Sequence, residues 1–198
     1  MFVMRKLSVK SRVYALLVML LFFLPGAVTF AQINEVPRTL VSFSEEELVE
    51  LGRNSRVIAA VEAQNALGRS LDQIKQFDEE WQNAGSVTRF MLDLMSNDLA
   101  LVLHNFEYTY GFIVETFVMD NRGANVAQTA RTSDYWQGDE AKFSGSYNNG
   151  SGAIHYGDVE YDGSVDEIIV QVSVPVMNGS RAVGAITFGV SLDRWERR

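Results

Sequence analysis

The sequence of 198 residues contains no cysteine and only two histidines. Without cysteine, the chain has no disulfide framework, no thiolate zinc site, no cysteine nucleophile and no lipid anchor on a cysteine. The histidines form no His-Glu-x-x-His motif, and no calcium-loop spacing is present. A Gly-x-Ser-x-Gly elbow, a phosphate loop and an evident acid–base pair are also missing. The sequence therefore predicts a protein that is not an enzyme and has no cofactor or metal.

Long apolar runs are also scarce, because residues 13–24 form the only one of its kind. Residues 5–12 carry four basic and no acidic side chains, and residues 25–31 contain a Pro-Gly break followed by small residues. This layout is typical of a secretory signal peptide cleaved before Gln32, so we expect an exported, periplasmic protein. The alternative is that residues 13–31 remain as an uncleaved membrane anchor.

Positive charge is in short supply. The chain has 17 basic and 25 acidic residues, and four of the basic ones lie within the first 31 positions. The remaining 167 residues therefore carry 13 basic against 25 acidic side chains. Nucleic acids and anionic membranes are bound through surplus lysine and arginine, so neither is expected as a partner. The length suits one domain with a proper core.

Hydrophobic spacing divides the chain beyond residue 31 into a helical part and a strand part. Residues 32–43 are expected to be an extended lead-in, and Ser44 to Glu47 fits a capping box that begins a long helix. Ser70 begins a second box, with Gln73 at its third helical position. After Gly111 the pattern changes to β-branched and aromatic residues that favour strands. Strands are predicted at residues 112–119, 124–128, 153–160, 167–177 and 181–192, with a short helix around residues 139–143.

This order of elements predicts an α+β fold, in which one antiparallel sheet has the long N-terminal helices on one face. The polar, aromatic excursion over residues 129–147 should cover the other face. On the fourth strand, Gln171 and Ser173 interrupt the side opposite an all-aliphatic one. That mixed side is typical either of a half-buried ligand cavity or of an ordinary solvent-facing surface.

Four segments resemble the extracytoplasmic PAS-like sensor domains called Cache or PDC sensors. They are residues 115–127, 132–142, 171–176 and 183–190, of which the segment with Asp-Tyr-Trp-Gln-Gly-Asp-Glu is the most specific. The resemblance covers about residues 45–193 and implies a single domain over residues 44–193. It further implies a five-stranded antiparallel sheet of order 2-1-5-4-3 and a small-ligand pocket between the sheet and the excursion.

Members of that family usually lie in receptors between two transmembrane helices, whereas this sequence stops shortly after the last predicted strand. We therefore expect a solitary, exported sensor domain that binds a small polar metabolite: an amino acid, a carboxylate or an amine. It would act in signal transduction through a membrane-bound partner. The alternative is a ligand-free periplasmic interaction module that regulates a membrane partner. Residues 44–83 are a candidate homodimer face in either case.

The candidate ligand-binding residues cluster in the excursion. Tyr135 and Trp136 offer flat apolar area with a polar edge, or else belong to the core. Arg131 can clamp a carboxylate through two hydrogen bonds, or be a solvated loop charge. Asp134 and Asp139 can accept from a ligand amine, although Asp139 also suits a helix N-cap. Further candidates on neighbouring segments are Lys142, Tyr147, His155, Gln171 and Ser173.

Overall fold

The computed structural model describes residues 35–163 and 166–198. The predicted signal peptide or anchor at residues 1–31 and the first residues of the lead-in lie outside these ranges. No helix within the described residues is long and apolar enough to cross a membrane.

Helices occupy most of the first half of the described chain, and further helical segments lie between and after the strands. They are α1 (Arg38–Phe43), a π-helical turn (Ser44–Leu48), α2 (Val49–Gly52), α3 (Ser55–Ala66), α4 (Leu71–Gln82), α5 (Arg89–Ser96), α6 (Asp98–Thr109), α7 (Ala141–Tyr147), a 3-10 turn (Asn148–Gly150) and α8 (Leu192–Arg197). Two expectations at the start were wrong. Residues 38–43 are helical rather than extended, and Ser44 lies inside the helical run, where its hydroxyl donates to the carbonyl of Leu40 at 2.7 Å. The Ser44 hydroxyl therefore hydrogen-bonds within a helix that has already begun, and Ser44 does not cap the start of a new helix.

Side-chain caps mark the starts of α3, α4, α5, α6 and α8, whereas α2 and α7 have none. The predicted box at Ser70 is confirmed, because the Ser70 hydroxyl accepts from the Gln73 amide and the Gln73 side chain accepts from the Ser70 amide. Asn54, whose side chain accepts from the Arg56 amide at 2.9 Å, caps α3 and ends the long helix that the sequence suggested. Satisfying these free N–H groups stabilises each helix by about 1 kcal/mol.

The sheet has five antiparallel strands in the order β2-β1-β5-β4-β3, which confirms the predicted order. The strands are β1 (Ile113–Met119), β2 (Asn125–Gln128), β3 (His155–Asp162), β4 (Glu167–Asn178) and β5 (Arg181–Ser191). Gly123 ends the β1–β2 turn with φ +83° and Gly179 lies in the β4–β5 turn with φ +60°, conformations that favour glycine. The edge strands are therefore β2 and β3, and β4 and β5 lie inside the sheet.

The two faces of the sheet carry different cores. The aliphatic side of β4, from Val170 to Val176, packs with residues of α1, α3 and α6 in the main core. On the other face, Phe117, Met119 and Ala185 pack under Phe143 of α7. The predicted arrangement, with N-terminal helices on one side and the excursion on the other, is confirmed for residues 141–147.

The first part of the excursion does not lie on the sheet. Tyr135 packs with Ile74 and Trp81 of α4 and with Met91 and Leu94 of α5, in a separate apolar cluster. The Tyr135 side chain is therefore packed against α4 and α5, and α7 is the part of the excursion that lies on the face of the sheet.

Candidate ligand pocket

A polar row crosses three strands of the sheet beside the start of α7. Glu115 on β1 and Gln171 on β4 both pair with Gly189 on the strand between them, β5. The Glu115 side chain lies over Gly189, since a Cβ at that position would overlap Glu115 Cγ and come within 2.9 Å of Oε1. Glu115 thereby reaches across β5, and Gln171 Nε2 donates to its Oε1 at 2.8 Å. The missing side chain at position 189 is what makes this contact between non-adjacent strands sterically possible.

Helix α7 and edge strand β3 form the walls beside this row. The pairing of β3 with β4 shifts between Tyr156 and Val159, so that Gly157 and Asp158 form a bulge opposite Gln171. His155 packs closely against α7, because a Cβ at Gly145 would lie 2.7 Å from its Nδ1.

Lys142, in the first turn of α7, forms an ion pair with Glu140 at 3.0 Å and lies 5.5 Å from the centre of the Phe117 ring. Its charge is therefore held on the α7 side of the row.

These elements border an open cavity of about 370 Å³, a size within the range of small-molecule sites. It is lined by Glu140, Ala141, Lys142, His155, Tyr156, Gly157, Asp158, Glu160 and Gln171. Three of the residues predicted for ligand binding, Lys142, His155 and Gln171, thus come together here. Glu115 was not predicted, and it lies directly behind Gln171.

The electrostatics of the row centre on Glu115. Burial raises the pKa of this carboxyl above its ordinary value, and the Gln171 hydrogen bond and the Lys142 charge oppose the rise. Within the described residues, Glu115 has no cationic group in ion-pair contact. A partly buried carboxylate without an ionic partner is costly when it is charged.

A second concavity, of about 540 Å³, lies on the outside between α4 and the loop before α7. Its lining includes three predicted residues: Asp134, Trp136 and Asp139. The expected cap was wrong at Asp139, because Glu140 occupies the N-cap position of α7.

Structural contacts already engage the main groups in this outer groove. The Asp78 carboxylate accepts from the backbone amides of Tyr135 at 2.8 Å and Trp136 at 3.0 Å. The Trp136 indole donates to the carbonyl of Arg122 at 2.7 Å, and Lys75 lies 4.7 Å from the centre of the indole ring. These contacts hold the loop against α4. The groove therefore follows the line along which the loop packs on this helix.

Tyr135, one of the predicted ligand contacts, is completely buried. Its hydroxyl accepts from Gln64 at 3.3 Å and from Arg69 at 3.5 Å, and its ring contacts Phe77, Trp81 and Phe90. Burial raises the pKa of the phenol to about 12. The sequence left two interpretations of Tyr135 open, ligand contact and core packing, and these surroundings are those of a core residue.

Arg131, Tyr147 and Ser173 also lie away from the cavity lining. The Arg131 guanidinium donates to the carbonyls of Trp81 at 3.2 Å and Ala84 at 3.4 Å, at the end of α4. Tyr147 stacks on Phe143 with 5.2 Å between ring centres. The Ser173 hydroxyl is buried 2.8 Å from that of Thr187. The ten predicted residues thus divide among the cavity, the outer groove and packing contacts.

No protein-family model matches the chain, and no curated protein sequence matches it. Solved sensor domains are similar in fold. The sensor domain of the V. cholerae histidine kinase DctB has a TM-score of 0.46 and 14% identity, covering 81% of this chain and 52% of that one. The ligand-binding domain of the Campylobacter jejuni chemoreceptor Tlp3, in complex with 4-methylisoleucine, has a TM-score of 0.40 and 10% identity, covering 79% and 65%.

The ligand-binding domain of the Pseudomonas aeruginosa PAO1 amino acid chemoreceptor PctC, in complex with GABA, has a TM-score of 0.36 and 11% identity. The match covers 78% of this chain and 62% of that one. The chain therefore spans between about half and two thirds of the length of these solved domains.

Proposed function

We propose that the chain is an exported, periplasmic sensor domain that binds a small polar ligand in the cavity between α7, β3 and β4. The ligand would contact Lys142, His155 and Gln171, with Glu115 behind them. Binding would be passed to a membrane-bound signalling partner.

The observation that carries this proposal is the polar row laid across Gly189. Sheet interiors are ordinarily filled with apolar side chains, and a charged residue there costs free energy unless something interacts with it. Here the Glu115 carboxylate extends across β5 and accepts a hydrogen bond from the Gln171 amide, at the edge of a cavity lined by further charged groups. A ligand that contacts this row would compensate the cost of burying it.

The position of the cavity supports a role in signalling. Its walls belong to α7, which lies on the sheet, and to β3, an edge strand with a bulge beside the cavity. A ligand that touches both would hold α7 against the edge of the sheet. The surface formed by α7 and β3 would then be more rigid with ligand than without it, and a partner that binds the rigid form better would respond to the ligand.

A thermal-shift screen of the purified full chain against amino acids, carboxylates and amines tests the proposal. A ligand present well above a Kd of ~1 mM or less raises the melting temperature by mass action. We expect the response to fall sharply in Gln171→Ala and His155→Ala. Asp139→Asn, in the outer groove, is the matched control and should respond as the wild type does.

Two outcomes would contradict the proposal. One is a flat response across a broad panel. The other is a response that Asp139→Asn abolishes and Gln171→Ala leaves intact, because this would move the site to the outer groove.

A second candidate function is a ligand-free interaction module. It is favoured by an open depression of about 680 Å³ between α3 and α6, where the Leu101 side chain is 55% exposed. Part of this depression falls within residues 44–83, the predicted dimer face. Light scattering of the wild type and Leu101→Glu tests it: a dimer that the substitution dissociates supports this candidate, and monomers throughout contradict self-association.

A further inference from the structure

We infer that the ligand of this cavity is recognised through a cationic nitrogen, which Glu115 and Gln171 bind together. The inference rests on the proposed function and narrows it, because the cavity would then select amines and disfavour compounds that carry only carboxylates.

The first argument is the unmatched charge of Glu115. Its one direct hydrogen bond within the described residues comes from Gln171, a neutral donor. Lys142 is close enough to influence Glu115 electrostatically, but its ammonium is in direct contact with Glu140. A ligand ammonium beside Glu115 would supply the missing opposite charge in a partly buried position, where such a pair is stronger than at an exposed one.

The second argument is the geometry of the Gln171 amide. Its Nε2 is committed to the carboxylate, which leaves the carbonyl oxygen Oε1 as an acceptor that makes no hydrogen bond within the described ranges. An ammonium offers three N–H donors, and so it can bind the Glu115 carboxylate and the Gln171 carbonyl together. A carboxylate ligand has no donor to offer either group and would be repelled by Glu115.

The third argument is the charge of the lining. Glu140, Asp158 and Glu160 line the cavity, whereas Lys142 and one histidine are the only basic side chains in the lining. Since Glu140 and Lys142 compensate each other, the remaining field is set by Asp158, Glu160 and the Glu115 behind them. This field attracts cations and opposes anions.

Three probes of matched size and different charge test the inference: butylammonium, butyrate and 1-butanol. Each is titrated into the purified full chain by calorimetry, with Glu115→Gln and Glu107→Gln as variants. Glu107 is the matched control, because it is also a partly buried carboxyl with a raised pKa and its charge acts on Glu115, but it lies on α6 and is hydrogen-bonded to Thr129. We expect butylammonium to bind the wild type and Glu107→Gln, and to bind Glu115→Gln roughly tenfold more weakly or worse.

A second readout separates a direct contact from a structural effect. Glu115 interacts electrostatically with Lys142 on α7, Asp162 at the end of β3 and Glu107 on α6, and burial raises its pKa above the ordinary value. An ammonium that pairs with Glu115 favours the ionised carboxyl, so binding should release protons at mildly acidic pH. This release appears as a binding enthalpy that depends on the ionisation enthalpy of the buffer, and it should be absent in Glu115→Gln.

Different failures have different meanings. If butyrate binds and butylammonium does not, the inference is wrong while the proposed function stands. If Glu115→Gln binds butylammonium as tightly as Glu107→Gln does, Glu115 is not the recognising group and the inference is again wrong. If no compound in the wider amine, carboxylate and amino acid panel binds, the proposed function fails and the inference fails with it.

Discussion

Replacing Asp78 tests whether the stretch around Tyr135 is fastened to α4 or free to close over a ligand. The carboxylate accepts two backbone N–H groups, from Tyr135 at 2.8 Å and Trp136 at 3.0 Å. Asp78→Ala leaves both without this acceptor, and hydrogen bonds to a charged group contribute about 1.5–3 kcal/mol each. Because the site is partly open to water, we expect a total cost of about 2–3 kcal/mol.

For a chain of this length, that cost corresponds to a fall in melting temperature of roughly 5–10 °C. Asp78→Asn keeps one acceptor oxygen and should lose about half as much. Glu79→Ala, the exposed neighbour in the same groove, should change stability by no more than about 0.5 kcal/mol. Thermal and urea unfolding followed by circular dichroism measure all three. Equal stability of Asp78→Ala and Glu79→Ala would refute the reasoning.

The remaining predictions concern the core and the polar row. Tyr135→Phe removes hydrogen bonds from Gln64 and Arg69, so it should cost about 1 kcal/mol in urea unfolding and leave the ligand response unchanged. The raised pKa of Glu115 means that the folded chain holds this proton more tightly, so the group's stabilising effect is present below its ordinary pKa of about 4.3 and is lost as the pH rises through the folded value. Glu115→Gln should therefore match the wild type in melting temperature near pH ~4 and exceed it near pH ~7. Gly189→Ala should displace the Glu115 side chain, so the amine response measured by calorimetry should fall at least as much as in Glu115→Gln, and an unchanged response would contradict the role of the glycine.

The strand half of the fold could be predicted in detail because side-chain alternation is a local property. Val170, Val172 and Val174 share a face by spacing alone, and that face is buried in the main core. Sheet order is a non-local property, and it came from the resemblance to PAS-like sensors. The helix start at Ser70 was readable because a cap needs only its own next turn.

The errors arose where a residue's partner is distant in the sequence or the element began earlier than expected. Ser44 has the composition of a cap, but Leu40 already belongs to the same helical run. The Tyr135 amide donates to the Asp78 carboxylate, which helps to fix its position. In the sequence, Asp78 looks like any other charged residue on an exposed helix. No pattern in a single sequence indicated that pair.

Glu115 was missed for a related reason. In the sequence it is one polar residue in an apolar strand, which is typical of a side chain that faces solvent. Its role depends on the register that sets it opposite Gly189 and on Gln171 one strand further. The individual signals were present, a glycine inside one strand and a glutamine inside the next, but only the pairing of strands brings them into one row.

The most direct test of the binding site is a crystal structure of the chain with a stabilising compound from the screen. We expect the compound between α7 and β3, within hydrogen-bonding distance of Gln171 and with its nitrogen towards Glu115. A compound in the outer groove against Asp134 and Trp136, with the cavity beside Gln171 left to solvent, would contradict the account.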